Sequence, residues 1–171
     1  MQSKKSEAIQ FFESRLGQEA FVSEWMVISQ QETDAFAKLT NDVDPMHNNP
    51  EWAAQTLWGG TIVQAAHVLA LGIGALADAD TPLQGESDGN SYLLNYGYDR
   101  VRVIAPLRVG HPFRYRGKIA DVRPKSEAEY VLKFEVTVEV KDRDKPFMVY
   151  ESLAFLATNQ EMPAVENKGA E

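Results

Sequence analysis

The sequence predicts an α+β domain in which one curled antiparallel sheet wraps around a long buried helix. Two segments carry this prediction. Residues 61–77, TIVQAAHVLALGIGALA, are apolar around nearly the whole circumference, as in a helix that is covered on most sides. Residues 129–141, EYVLKFEVTVEVK, alternate apolar with mostly polar side chains, which is the pattern of a strand with one solvated face. A chain of 171 residues with 44% hydrophobic content suffices for one such domain.

Composition excludes several classes of protein. The chain has no cysteine, which excludes disulfides, thiolate nucleophiles and cysteine-bound metals. Its formal net charge of −8 lacks the positive field on which nonspecific binding to nucleic acids or anionic membranes depends. The first twenty residues contain no apolar block as long as a secretory signal requires. We therefore expect a cytoplasmic protein that binds no nucleic acid and needs no cofactor or metal.

The first element is predicted to be an amphipathic helix within residues 1–20. Three of its apolar residues fall on one helical stripe, and they are Ile9, Phe12 and Leu16. We expect this helix to pack on a single domain formed by residues 21–157. A polar tail is expected at residues 158–171.

A strand and two helices are predicted next. Residues 21–29, FVSEWMVIS, have the composition of a strand. Ser29 opens the capping-box sequence SQQE, which predicts a helix to about Leu39. Asn49 followed by Pro50 is a cap with a first-turn proline, which predicts a short helix over PEWAAQT. The buried side of the longer helix is predicted to hold Ala35, Phe36 and Leu39.

A membrane span is the alternative interpretation of residues 61–77. The segment is slightly short for a bilayer, and it contains the polar side chains of Gln64 and His67. A buried helix in a globular core is therefore favoured, and no membrane span is expected. Within such a helix His67 is predicted to be a hydrogen-bonded core residue, whereas His111 in VGHPF is predicted to lie in a turn.

Three more strands are predicted in the C-terminal half. Their segments are 91–105, 113–122 and 147–157, while the composition of residues 78–91 is that of a loop. An antiparallel sheet must cover one apolar face, and the apolar helix must be covered on most sides. A sheet curled around the helix meets both needs, which is the hot-dog arrangement. Because one curled sheet leaves an exposed edge and part of the helix uncovered, we expect a homodimer.

The segment 40–50, TNDVDPMHNNP, carries the candidate chemistry. Asp42 and His47 are five positions apart, a spacing that on a continuous helix separates two side chains by roughly 140°. Pro45 cannot extend the helix, and it pushes Asp44 toward extended geometry. The acid and the imidazole can then converge on one point. A carboxylate and a neutral imidazole that hold one water form a general acid–base pair that needs no metal.

Two other interpretations of this segment remain open. Acids and asparagines around Asn-Pro are ordinary cap and turn residues, and His47 could be hydrogen-bonded only within the turn. A transition-metal site of Asp42, Asp44 and His47 is the second alternative, although no second histidine lies near. A calcium loop is excluded, because its pattern requires glycine at position 47 and glutamate at position 53.

Residues 36–54, FAKLTNDVDPMHNNPEWAA, resemble the hydratase signature of the MaoC-like family of (R)-specific enoyl-CoA hydratases, and in particular its nodulation-protein-N-like branch. The matching residues are Phe36, Thr40, Asp42, Pro45, Met46, His47 and Ala53. The similarity continues through LWGGTIV and LNYGYDRVRVIAPLRVG, so that it covers most of residues 20–157. The sequence departs from the pattern at Asn41, at Asp44 and at the dipeptide Gln64-Ala65, where the family has glycine, asparagine and His-Gly.

The resemblance implies a hot-dog dimer that hydrates 2-enoyl thioesters of coenzyme A or of a carrier protein. It implies that Asp42 and His47 bind and activate the water that adds across the double bond. It also implies that the backbone amide of Ala65, near the start of the central helix, polarises the thioester carbonyl. The residues expected to line the substrate path are Trp58, Gly60, Gln64, Asn95 and Tyr96.

Two other functions on the same scaffold remain open. The first is an acyl-CoA thioesterase, although many such enzymes place a carboxylate in or near the central helix, and residues 60–77 contain no acid. The second is a noncatalytic protein that binds acyl thioesters or lipids.

A basic run interrupts the acidic balance of the chain. Alternation places Arg114, Arg116 and Lys118 on one strand face, and Arg100 and Arg102 share a face in the same way. A solvated sheet surface explains this pattern. The alternative is that some of these residues contact the phosphates of coenzyme A, which suit the forked arginine side chain.

Overall fold

A computed structural model describes residues 7–77 and 91–158 of the chain. Its elements are α1 (Glu7–Ser14), β1 (Glu19–Val22), α2 (Gln30–Thr40), α3 (Pro45–Asn48), α4 (Pro50–Ala53), α5 (Ala65–Ala77), β2 (Ser91–Val103), β3 (Phe113–Pro124), β4 (Glu129–Val140) and β5 (Met148–Thr158). The predicted loop and the predicted tail lie outside the described residues, apart from Ser91 and Thr158. None of the helices among the described residues is long and apolar enough to cross a membrane.

One five-stranded antiparallel sheet organises the chain, with the strand order β1-β3-β4-β5-β2. The central pair β3 and β4 runs in register from Phe113 opposite Val140 to Pro124 opposite Tyr130, with one bulge near Ala120. All four C-terminal strand predictions are confirmed. Within β4, the predicted apolar face is buried throughout, because the even-numbered residues from 130 to 140 all point to the core.

Helix α5 packs against the sheet at close range. The Tyr115 hydroxyl donates a hydrogen bond to the carbonyl oxygen of Val68, and Gly72 lies against the rings of Tyr115 and Tyr150. The absence of a side chain at Gly72 allows this approach. The helix is not covered all round within one chain, because Ile73 on its other side is 46% exposed.

Two predicted boundaries were wrong for the same reason. Residues 61–63 do not belong to the central helix, because they are extended and pair with residues 107–109. The amide of Val63 donates to Leu107 at 2.8 Å, and the amide of Val109 donates to Thr61 at 3.0 Å. Likewise β1 ends at Val22, and beyond it Met26 pairs with the sheet only as an isolated bridge to Phe113. In both segments a pairing distant in sequence decides the local conformation.

The capping box of α2 is confirmed, but its predicted buried side was partly wrong. The side chain of Ser29 accepts from the amide of Glu32, while the amide of Ser29 donates to the Glu32 carboxylate at 2.7 Å. The buried residues are Thr33 and Ala37, whereas Leu39 is 83% exposed. Phe36 is half-buried and Ala35 is exposed. The inward side of α2 is thus formed by the small residues Thr33 and Ala37, which the apolar pattern alone did not reveal.

Helix α1 contributes to the core through two residues. Ile9 and Phe12 are fully buried, and the Phe12 ring lies edge-on to that of Phe134 with 6.0 Å between centroids. Leu16 follows the helix and is 49% exposed, so it does not share this buried face.

Basic side chains on the outer face of the sheet form ion pairs with neighbouring acidic side chains. Arg114 and Arg116 both bond to the Glu139 carboxylate, at 2.7 and 2.8 Å. Lys118 pairs with Glu135 at 3.5 Å. The interpretation of these residues as a solvated sheet surface is therefore supported.

Candidate active site

The turn that follows α2 fixes the direction of Asp42. Helix α2 is capped by Asn41 in the left-handed conformation, with φ 61° and ψ 27°, and its amide donates to the carbonyl of Ala37. The amide of Asp42 donates to the same carbonyl at 3.0 Å. Asparagine adopts this conformation more readily than most residues other than glycine. The chain therefore leaves the helix immediately before the candidate acid.

A new helix starts between Asp42 and His47. Asp44 is extended, as predicted, and Pro45 is the first residue of α3. The Asp44 carboxylate caps this helix by accepting from the amide of Met46 at 2.9 Å. This single-turn helix was not predicted, although its cap and first-turn proline are the same signal that predicted α4.

His47 is buried and its ring is fixed by one hydrogen bond. Nδ1 lies 2.6 Å from the carbonyl oxygen of Ile62. Because a carbonyl oxygen only accepts, Nδ1 carries the hydrogen. In the neutral ring the proton acceptor is then Nε2.

Gln30 connects the backbone of His47 to its surroundings. Its side-chain nitrogen donates to the carbonyl of His47 and to the carboxylate of Asp34, both at 2.8 Å. Its side-chain oxygen accepts from the hydroxyl of Thr61 at 2.6 Å. Sequence reasoning missed Gln30, because a glutamine in the first turn of a helix gives no signal of contacts 17 and 31 residues away.

Asp42 and His47 line one cavity of about 530 Å³, together with the start of α5. The apolar part of the lining includes Trp58, Val63 and Phe147. Of the predicted site residues, the structure brings together Asp42, His47, Trp58, Gln64 and Ala65. The cavity thus combines a carboxylate, an imidazole and a helix start with an apolar wall.

The start of α5 presents free amides at this cavity. Within residues 7–77 and 91–158, the amides of Ala65 and Ala66 have no hydrogen-bond acceptor. The first N–H groups of a helix are unpaired within the helix, and the helix dipole adds a partial positive charge there. This end of the helix therefore suits a developing negative charge.

Gln64 immediately precedes this helix and is 2% exposed. Its side-chain nitrogen donates to the carbonyl of Thr33 at 3.2 Å. Its side-chain oxygen is buried and has no partner among the described residues. One buried acceptor thus remains open beside the cavity.

Comparison with known proteins identifies the family. Residues 11–142 match the family model described as the MaoC like domain. The chain belongs to the MaoC-like family. Nodulation protein N of Rhizobium leguminosarum bv. viciae is 35% identical over 134 residues, which are 78% of this chain and 81% of that protein. The 3-hydroxyacyl-thioester dehydratase Z of Mycobacterium tuberculosis is 31% identical over 137 residues, which are 80% of this chain and 87% of that protein.

Two solved structures share the fold. The (R)-hydratase of A. caviae matches with a TM-score of 0.63 and 22% identity, over 81% of this chain and 94% of that one. The MaoC-like dehydratase of Rhodospirillum rubrum matches with a TM-score of 0.67 and 17% identity, over 86% of this chain and 94% of that one. The predicted α+β hot-dog fold is thereby confirmed.

The departures from the MaoC-like signature have local explanations. Asn41 occupies a left-handed position that suits the glycine of the pattern. Asp44 uses its carboxylate as a helix cap, a role that asparagine also fills. The replacement of His-Gly by Gln64-Ala65 leaves the backbone amide of Ala65 in place, because a side-chain change does not remove it.

Three predicted substrate residues are not among the described residues that line the cavity. Gly60 lies beneath the guanidinium of Arg108. Asn95 donates to the hydroxyl of Tyr98 at 3.2 Å, and the hydroxyl of Tyr96 accepts from Lys125 at 2.8 Å. Within one chain, Asn95 and Tyr96 therefore belong to a separate region of β2.

The two remaining histidines are not among the described residues that line this cavity. The prediction that His67 is hydrogen-bonded was wrong at Nδ1, which is buried without a partner among the described residues. Its ring instead stacks on Phe36, with 4.5 Å between centroids and 1° between planes. His111 lies in a turn, as predicted, and its amide donates to the carbonyl of Arg108 at 3.1 Å. No group of three or more His, Cys, Asp or Glu side chains among the described residues could hold a metal ion.

Proposed function

We propose that the protein is a hydro-lyase that adds water reversibly to trans-2-enoyl thioesters and gives (R)-3-hydroxyacyl thioesters. The observation that carries this proposal is the meeting of Asp42, His47 and the free amide of Ala65 at one cavity. The similarity to a 3-hydroxyacyl-thioester dehydratase supports the substrate class.

In the proposed reaction, His47 acts as the base. The carbonyl of Ile62 holds Nδ1 and leaves Nε2 to accept a proton from water. Asp42 accepts the other water hydrogen in a hydrogen bond and orients the attacking oxygen. The water oxygen bonds to C3 as its proton passes to Nε2, and the electron pair of the double bond moves toward the thioester carbonyl. The imidazolium then delivers the proton from Nε2 to C2, which leaves His47 neutral again.

The negative charge that develops on the thioester oxygen would be stabilised by the Ala65 amide. This donor lies at the first position of α5, where the helix dipole adds a favourable field. Apolar side chains such as Val63 and Phe147 limit access of water from the inner side, which strengthens these electrostatic interactions.

The thioesterase alternative receives less support from the site. The central helix offers amides but no carboxylate, since residues 60–77 contain no acid. The hydration assay described below distinguishes the noncatalytic alternative from the hydratase. A noncatalytic protein would bind acyl thioesters without turnover, and this binding would be seen as ligand-induced stabilisation.

We also propose that the working unit is a homodimer in the cytoplasm. Strand β2 is the last strand of the sheet, with Leu94 and Val103 each 52% exposed, and Ile73 of α5 is 46% exposed. A second copy would cover these apolar surfaces and the free strand edge. The absence of cysteine suits a reducing compartment. Sedimentation of the purified protein tests the dimer, and a monomer at micromolar concentration would contradict it.

The decisive experiment is hydration of crotonyl-CoA by the wild type and by Asp42→Asn and His47→Gln. Each substitution is expected to lower kcat by about 10²- to 10⁴-fold, because it removes one partner of the acid–base pair. Asp44→Asn is the matched control: it retains a capping side chain for α3 and should keep most activity. Equal turnover in all four proteins would exclude the assigned pair. Chiral analysis of the product tests the (R) configuration.

A further inference from the structure

Two arginines beside the cavity have no acidic partner. Arg108 donates to the carbonyl of Gly59 at 2.7 Å, and Arg143 donates to the carbonyl of Pro106 at 3.1 Å. Gly59 follows Trp58, which lines the cavity, and Pro106 lines it directly. Among the ion pairs of residues 7–77 and 91–158, neither guanidinium takes part in one.

Three arginines of the outer sheet face have acidic partners. Arg114 and Arg116 share Glu139, and Arg100 pairs with Glu151 at 3.0 Å. Arg102 of β2, like the two arginines beside the cavity, forms no ion pair among the described residues. Arg108 and Arg143 differ from Arg102 because each donates to the carbonyl of a residue in or next to the cavity lining, in a chain whose formal net charge is −8.

Local backbone structure holds Arg108 in this position. A Cβ atom on Gly60 would lie 2.6 Å from Nη2 of Arg108, so the guanidinium occupies the space that the glycine leaves. The bond to Gly59 uses one of the five N–H donors of the side chain. The other donors have no acceptor among the described residues and are free to bind a ligand.

Both arginines affect the same neighbouring side chain, His111. Burial lowers the pKa of His111, and the guanidiniums of Arg143 and Arg108 lower it further. Asp142 and Asp144 adjoin Arg143 in sequence, but within the described part of the chain neither forms an ion pair. Both guanidinium groups thus lie close enough to His111 to affect its pKa, and the Pro106 carbonyl that accepts from Arg143 belongs to an exposed residue of the cavity lining.

We propose that Arg108 and Arg143 bind phosphate groups on the carrier portion of the thioester while its acyl group lies in the cavity. This inference rests on the proposed function. Guanidinium forks match phosphate oxygens in geometry and charge, and two guanidiniums without an ion-pair partner offset part of the repulsion between an acidic protein and an anionic substrate. The ligand class is a phosphorylated pantetheine thioester, which coenzyme A or a carrier protein can supply.

The test compares the KM of the wild type, Arg108→Gln and Arg143→Gln for crotonyl-CoA and for crotonyl-pantetheine, which has no phosphate. For crotonyl-CoA we expect a rise of about three- to tenfold for each variant with kcat unchanged, as for loss of a partly solvated charge-assisted contact. For crotonyl-pantetheine we expect no change. Arg123→Gln is the matched control, because Arg123 is an exposed arginine near the far end of β3.

Two further substrates distinguish the sources of the phosphate. A selective rise with crotonyl-CoA but not with crotonyl-phosphopantetheine would locate the contacts at the nucleotide phosphates. An equal rise with both would locate them at the 4′-phosphate, which carrier proteins share. An effect seen only with a crotonyl carrier protein would overturn the proposal, because the arginines would then contact the surface of that protein.

The remaining outcomes separate this inference from the proposed function. If the wild type hydrates the thioesters and the variants match it on every substrate, phosphate binding is excluded while the function stands. An equal loss with crotonyl-pantetheine would also exclude phosphate binding and would indicate a structural role. Arg108→Lys, which retains the charge, should recover most of the affinity if phosphate is the ligand.

If the wild type hydrates no thioester, the proposed function itself fails. Binding of coenzyme A to the wild type and the same variants, measured by calorimetry, then tests the role of the arginines without turnover.

Discussion

Nδ1 of His47 lies 2.6 Å from the carbonyl oxygen of Ile62, fifteen residues further along the chain. The amide of Ile62 in turn donates to the carbonyl of Met46 at 3.0 Å. These two bonds join α3 to the extended segment that precedes α5. The orientation of the imidazole therefore depends on where the central helix begins, and both are set by the same stretch of backbone.

Gln30 should act as a positioning residue for His47. Gln30→Ala removes the bonds to the His47 carbonyl, Asp34 and Thr61. We expect kcat for crotonyl-CoA to fall about tenfold with KM nearly unchanged, because the base moves while the substrate surface remains. Urea unfolding should show a loss of about 1–3 kcal/mol, since partners are left unsatisfied.

Gln31→Ala is the control for this prediction, because Gln31 is the exposed neighbour in the same helical turn. Its kcat and stability should match those of the wild type. A Gln30→Ala enzyme that loses stability but keeps full kcat would show that Gln30 supports the fold and not the base.

The amide of Ala65 can be removed without breaking the helix. Ala65 is the first residue of α5, a position at which proline is well tolerated, and proline has no N–H. Ala65→Pro is expected to lower kcat by about 10²- to 10³-fold, as for loss of one oxyanion donor. Ala65→Ser retains the amide and should remain close to wild type. A folded proline variant with undiminished kcat would exclude this amide as the donor, with circular dichroism as the check on folding.

Local signals predicted the parts of the fold that depend on neighbouring residues. The period of β4 and the capping box at Ser29 are readable within a few positions, and the structure confirms both. The turn between Asp42 and His47 followed from the proline at position 45 in the same way. These features need no information about the rest of the chain.

The features that the sequence did not predict depend on contacts between residues far apart in the chain. The start of α5 depends on hydrogen bonds between residues 61–63 and 107–109, which no local pattern specifies. The support of His47 by Gln30 spans 17 residues. Leu39 is exposed while Thr33 and Ala37 are buried, so the inward face of α2 also differs from the one that its apolar residues predicted. Long-range contacts select among conformations that the sequence permits locally.

The two glycines of α5 should respond in opposite directions to alanine. A Cβ at Gly72 would collide with the hydroxyl of Tyr150 and lie 3.2 Å from the Tyr115 ring. Gly72→Ala is therefore expected to cost about 1–3 kcal/mol in urea unfolding. Gly74 has no atom within 4 Å of such a Cβ, so Gly74→Ala should stabilise the protein by about 0.5–1 kcal/mol through helix propensity. Equal effects at both positions would contradict the close packing of α5 on the sheet.

The dependence of stability on pH should report on His67. Burial lowers the pKa of its ring from the ordinary value of 6.5, against a smaller opposing effect of Glu32. The unfolded chain therefore takes up a proton at a higher pH than the folded chain. The stability associated with the neutral ring is complete above about pH 6.5 and is lost as the pH falls from there through the folded-state pKa.

His67→Phe isolates this contribution, because phenylalanine can retain the stacking on Phe36 without titrating. The free energy of unfolding should be measured in urea at pH 7.5 and pH 5.5 for both proteins. We expect the wild type to lose more stability than the variant over this interval, by an amount set by the depression of the pKa. His111, whose pKa is also lowered, is present in both proteins, so the difference between them belongs to His67. If the two proteins lose equal stability, the neutral ring contributes nothing, and the buried Nδ1 must have a polar partner that stabilises its protonated form.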